Sequence, residues 1–207
     1  MIKTPFSEHR ERNDMKSALT VIRDEHRALA AVLRGLQFTV EQARNGRQNP
    51  DLVLLKSMLD YIEAFPDKLH HPKEDKYIYR VLRERDPDTA EKLDVLEEEH
   101  RQEPEWLGKL RSKLEAFEQD STNFEQFADA VEWYVNSHFS HMNMEEEVIL
   151  PIAEKVLQPE DWKTIDAAFA SNEDPLVGVG TQRQFRDLFS RIVNLMPAPY
   201  GLGPERG

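Results

Sequence analysis

The chain has 207 residues, 39% of them apolar and 32% charged, which is enough for one domain with a real core and a heavily charged surface. Its net charge of −12 argues against nucleic-acid phosphates and anionic membranes as partners. The absence of Cys removes disulfides, thiolate metal sites, iron–sulfur clusters and Cys nucleophiles together. The start, MIKTPFSEHRERNDMK, lacks the apolar stretch of a secretory signal. No run approaches the roughly 18 apolar residues of a membrane span. A soluble, cytoplasmic chain is expected.

Breaks at Asn45–Pro50, Asp86–Asp88, Gln119–Thr122, Leu157–Asp161 and Asn172–Gly180 separate long stretches of good helix formers. Segment one, from about Lys16 to Arg44, carries Leu19, Ile22, Leu29, Leu33, Leu36 and Val40 at helical spacing, with His26 in the same stripe. Segment two, from about Asp51 to Arg85, has Asp51 as N-cap and a stripe of Leu55, Met58, Ile62, Phe65 and Leu69. Pro66 and Pro72 lie inside it, and Pro72 should kink it, because proline removes a backbone donor and crowds the preceding turn. Segment three, from about Asp88 to Phe117, places His100 on its apolar face and has a second expected kink at Pro104. Segment four, from about Asn123 to Leu157, opens with a Thr122–Glu125 capping box. Along its inner face run Phe127, Val131, Tyr134, His138, His141, Glu145 and Val148. Two shorter helices follow, Glu160 to about Ala170 behind Pro159, and Thr181 to Leu195, and then an extended tail.

No sheet is predicted. Four long helices on short connections predict an all-α, antiparallel up-down-up-down four-helix bundle with two shorter C-terminal helices packed on it. Residues 1–157 form the bundle with an N-terminal extension, and 158–207 a helical appendage with its tail.

The chemistry lies in the histidines. His70 precedes Glu74 by four residues and His141 precedes Glu145 by four, so each pair presents an imidazole and a carboxylate from one helix face. His26, His70, His100 and His141 also lie equally far from the turns that join their helices, to within about one helical turn. An antiparallel bundle therefore sets one His per helix at a single level, with Glu74 and Glu145 beside them. Burying such a layer without a cation is costly. Imidazoles and carboxylates in this number suit two first-row transition ions. His71 has Asp75 four residues on and competes with His70; the wheel puts His70 nearer the buried face and leaves His71 as a neighbour. His138 reads as a buried, hydrogen-bonded histidine, and His9 takes no role. Tyr61, Phe65, Tyr77, Trp133, Tyr134 and Phe139 read as core.

This set of residues resembles the hemerythrin-like family of HHE cation-binding domains, of bacterial type. The resemblance rests on RDEH at Arg23–His26, HHPKED at His70–Asp75, EEEH at Glu97–His100 and HMNMEEEVILP at His141–Pro151, and covers about Ala18 to Leu157. The segment AFASNEDPLVGVG is similar to the ending of bacterial members. The resemblance implies a left-handed four-helix bundle around a non-heme di-iron centre. Glu74 and Glu145 would bridge the irons, His26 and His70 would serve one, and His100 and His141 the other. Zinc is a substitute. Oxygen-carrying members use five His, two of them a turn apart on the third helix. Here the positions four before and four after His100 are Leu96 and Pro104, so one imidazole is missing. Glu97, Glu103, His138 or water would fill the gap.

Three functions follow. The first is a di-iron protein that binds O₂ or NO for sensing, storage or delivery. The second is a di-iron oxidoreductase acting on peroxide, or a ferroxidase. The third is a zinc-binding or metal-free helical protein whose C-terminal helices form a partner or homodimer surface.

Overall fold

Ser17 opens the first helix: its hydroxyl accepts the N–H of Thr20 at 3.3 Å. Helix α1 then runs Ala18–Arg44 in the computed structural model, which describes residues 17–47, 49–170 and 183–195. Helix α2 spans 52–85 and begins as expected, with the Asp51 carboxylate accepting the N–H of Leu54 at 3.0 Å. Helix α3 is Ala90–Gln119, α4 spans 124–156, α5 is Pro159–Phe169 and α6 is Arg183–Leu195. No strand occurs among the described residues, and none of their helices is long and apolar enough to cross a membrane. His9, most of AFASNEDPLVGVG and the tail lie outside the described residues.

Prolines mark the places where the helical turn changes. In α2 they accompany two π-helical segments, Glu63–His70 and Glu74–Tyr79, in which the N–H of His71 bonds Pro66 O and that of Arg80 bonds Asp75 O. A third, Glu145–Ile149, precedes Pro151 in α4. A proline cannot donate the normal backbone bond, and a π turn takes up the break by adding a residue to the turn. α3 stays α-helical through Pro104.

The Thr122–Glu125 capping box does not form. Asp120 accepts the Thr122 N–H at 2.9 Å within a 3₁₀ turn, Ser121–Asn123, and Glu125 instead takes Arg44 at 2.9 Å. Trp133 also departs from expectation: it stands 52% exposed, edge-on to Trp106 at 5.1 Å.

Contacts between the four long helices are antiparallel. Arg44 near the end of α1 meets Glu125 near the start of α4, while His26 meets Glu146 farther along α4. Lys56 early in α2 pairs with Glu118 late in α3, and Arg83 late in α2 pairs with Asp94 early in α3. Two apolar cores result. One joins Leu29–Val40 of α1, Leu54–Phe65 of α2, Leu107–Leu114 of α3 and Phe127–Val135 of α4 to Leu188 and Ile192 of α6. The other joins Ile22, Ile78, Leu82, Leu93, Leu96, Ile149 and Leu150 to Ile165 and Phe169 of α5. On each long helix the residues between the two cores are polar and buried, and they form the candidate site.

Candidate metal centre

Each helix contributes to this layer where its apolar stripe is interrupted. α1 gives His26, α2 gives His70, His71 and Glu74, α3 gives His100, and α4 gives His141 and Glu145; none is more than 9% exposed. On α2 the π turn ends at His70, and both adjacent imidazoles face inward, one toward each half of the site.

The ligand atoms fall into two halves. His26, His70 and Glu74 bring one atom each within 4.8 Å of one another, and so do His71, His100 and His141. Glu74 and Glu145 lie between them. Glu74 Oε1 is 3.2 Å from His70 Nε2, and its Oε2 is 3.9 Å from His100 Nε2. Glu145 Oε2 is 3.2 Å from His26 Nε2, and its Oε1 is 3.4 Å from His141 Nε2. Glu74 Oε2 and Glu145 Oε2 are buried and make no hydrogen bond of acceptable geometry.

Four of the five imidazoles are hydrogen-bonded from behind. Nδ1 donates to Glu146 from His26 at 2.8 Å, to Glu25 from His70, to Asp75 from His100 and to Glu99 from His141, the last three at 2.7 Å. His71 Nδ1 lies 2.7 Å from Glu103 Oε2 without hydrogen-bond geometry. A carboxylate on Nδ1 fixes that nitrogen as the N–H and leaves Nε2 as a lone pair. Those lone pairs converge: His26 and His70 bring Nε2 to 3.1 Å, and His100 and His141 to 3.0 Å. A shared proton joins two nitrogens at this spacing. A metal ion joins both nitrogens and also the carboxylate oxygens aimed at the same point. The donor set fits such an ion.

Electrostatics agree. Burial opposes charge on His26, His70, His100 and His141, but carboxylates outweigh it and raise all four, His70 and His141 well above the ordinary value. Burial lowers His71 far below it, and the neighbouring imidazoles of His100, His70 and His141 push the same way. Burial works against the charge on Glu145, yet His141 and His26 hold it well below the usual carboxylate range. Burial raises Glu74, and Glu145 raises it further. The site demands positive charge, which is the property of a cation site.

A family model, the hemerythrin HHE cation-binding domain, matches residues 8–153. The chain belongs to that family. No curated protein and no solved structure was found similar to it. In this hemerythrin HHE domain, the structure brings His71, from α2 rather than from α3, beside His100 and His141, where the sequence leaves one imidazole short. Of the groups expected to fill that gap, Glu97 pairs with Arg83 at 2.9 Å and Glu103 lies behind His71. His138 is buried outside both halves; its Nδ1 donates to Tyr134 O at 3.0 Å, and its Nε2 is 3.5 Å from Glu103 Oε1. His70 is buried as the wheel has it, and His71 is buried beside it, because a π turn alters the angle between successive residues. The signal was present as prolines beside both His–Glu pairs. The sequence reading also passed over Tyr79, which donates its hydroxyl to Glu145 Oε1.

α5 closes one side of the centre. Its Phe169 meets the His70 ring edge-on at 6.5 Å, and Lys73 reaches from α2 to Ala168 O at 3.1 Å. The matched segment ends before this helix, so the enclosure draws on residues beyond it.

Proposed function

We propose that this hemerythrin HHE domain holds two iron ions and binds a small diatomic ligand, O₂ or NO, at them, for sensing, storage or delivery. The observation that carries the reading is the convergence of paired Nε2 lone pairs whose Nδ1 atoms are tied to carboxylates. His26 and His70 would hold one ion and His71, His100 and His141 the other, with Glu74 and Glu145 between. Iron supplies reversible affinity for diatomic ligands. The protein's part is to fix each ring, supply negative charge around it and keep bulk water out. Zinc would occupy the same donors without redox chemistry. Burial of all the donors restricts entry to small molecules, so O₂, NO and peroxide suit the site better than an organic substrate.

A second reading is an oxidoreductase acting on peroxide. It is favoured by Tyr79, whose hydroxyl is an O–H donor beside Glu145, since cleaving an O–O bond requires protons.

The test is elemental analysis of freshly purified protein, with absorption spectra after anaerobic reduction and after readmission of air. About two irons per chain, with charge-transfer bands that follow oxygen or NO, is the expected result. Zinc alone, or no metal, after growth in iron-rich medium would refute it. Peroxide turnover that exceeds free iron and is lost in Glu74→Ala would favour the second reading.

A further inference from the structure

Helix α5 is attached more lightly than the four long helices. Its 11 residues, Pro159–Phe169, are too few for a helix that is stable alone, so its fold depends on what it docks against. Each long helix enters both apolar cores, whereas α5 buries Ile165 and Phe169 in one of them. Leu157 and Gln158, with ψ of 140° and 161°, join it to α4 by an extended link. Polar contacts complete the docking. Arg85 of α2 meets the Asp161 carboxylate through two nitrogens at 3.1 Å each. The Asp166 carboxylate accepts the N–H of Ala18, the first residue of α1, at 2.8 Å. Lys73 donates to Ala168 O at 3.1 Å, and the adjacent Phe169 lies edge-on to His70. α5 therefore covers the centre on its His70 side.

All the donors of the centre are buried. A divalent ion cannot slip between packed side chains as a dissolved gas does, because a charge without partners in an apolar core is strongly disfavoured. An opening must form. Moving any long helix would break both cores, and α6 docks through Leu188 and Ile192 on the core that α5 does not share. Segments with few buried contacts open first. We propose that α5 is the gate for metal: it undocks as a unit about Leu157–Gln158, with the four long helices still packed, and metal ions enter and leave on the His70 side. The contacts to Arg85, Ala18 and Lys73 set how often it opens. The inference rests on the centre's being a cation site; it needs neither iron nor a diatomic ligand.

The test loads the full chain with zinc and follows its release to excess pyridylazoresorcinol, alongside amide hydrogen exchange of the same loaded protein. Asp166→Ala removes the bond to Ala18. Ser17→Ala is the control, since it removes the N-cap of α1 and leaves α5 untouched. In Asp166→Ala, zinc release and exchange of amides 163–169 should speed up by the same factor, about fivefold for one such hydrogen bond, while core amides of the long helices keep their rates. Ser17→Ala should leave release unchanged. Faster exchange at 163–169 with unchanged release would overturn the gate and point to a way in past Asp75, Glu99 and Glu146, whose side chains are 37%, 31% and 39% exposed. Release accelerated as much in Ser17→Ala, or core amides accelerated as much as those of α5, would overturn it too. Wild type that takes up no zinc would overturn the cation reading and this inference together. If Asp166→Ala does not fold, dilute urea on wild type decides: release and exchange at 163–169 must rise with one slope, shallower than that of the core amides. Two different slopes overturn the proposal.

Discussion

Replacing His71 by Ala separates a metal ligand from a packing residue. His71 stacks on His100 with centroids 4.3 Å apart and planes 12° apart, so removing it costs packing in any case. The informative quantity is the extra stability conferred by metal. His71 is one of three imidazoles in its half, and Glu103 Oε2 lies 2.7 Å from its Nδ1. Losing even an orienting partner typically weakens metal affinity by 10- to 100-fold, so losing the ligand itself should cost about 100-fold or more. By linkage, a 100-fold loss removes about 2.7 kcal/mol of metal-dependent stabilisation. For a chain of this size that narrows the gap between metal-loaded and metal-free Tm by roughly 5–10 °C. The assay is thermal unfolding of wild type and His71→Ala, each with excess zinc and with chelator. Curves that shift equally with and without metal would refute a ligand role for His71 and return it to packing.

Phe169→Ala should cost about 3–5 kcal/mol, as for a large buried aromatic, and should speed removal of metal by a chelator, because the ring shields His70. An unchanged stripping rate would count against α5 as the closing wall. Gly35→Ala would place a Cβ 3.0 Å from Met58 Cε and 3.1 Å from Ile192 Cγ2, so a net loss of about 1 kcal/mol is expected after the helix-propensity gain. Combined with Ile192→Ala, the same change should become stabilising in a double-mutant cycle, and simple additivity would refute the contact. In the metal-free protein, burial opposes charge on His141, yet Glu145 and Glu99 raise it well above its ordinary value. A raised folded-state pKa gives stability that is fully present below about pH 6.5 and is lost as pH rises through the folded value. His141→Asn should therefore cost metal-free protein more stability at about pH 6 than at about pH 9 by chemical denaturation; equal costs would show that no such protonated pair forms.

Much of the arrangement was legible before any coordinates. Helical periodicity marked the four long helices, Asp51 marked a cap, and equal distances from the turns put His26, His70, His100 and His141 at one level. That reasoning works because an α-helix advances regularly. It fails where the advance changes. His71 and Tyr79 are buried at π turns, and no α-helical wheel puts both His70 and His71 at the centre. Rival partners were the other source of error. Glu125 could cap its own helix or meet a guanidinium, and local sequence holds no record of Arg44 across the bundle. Trp133 stands half exposed on its helix, with its ring edge-on to Trp106. The outer carboxylates were visible merely as acidic clusters, since what distinguishes Glu99 or Glu146 from its neighbours is a ring nitrogen on another helix.

Those outer carboxylates have a consequence for oxidation state. Glu25, Asp75, Glu99, Glu103 and Glu146 stand behind the imidazoles, and Glu74 and Glu145 lie among them, so the acidic groups outnumber the positive charges of two divalent ions. The excess is relieved when each ion gains a charge. Glu25 and Glu103 are almost fully buried, so water screens their part of the field poorly. A redox-active pair in this shell would have a lowered reduction potential, rest in its oxidised form in air, and need a strong biological reductant to return.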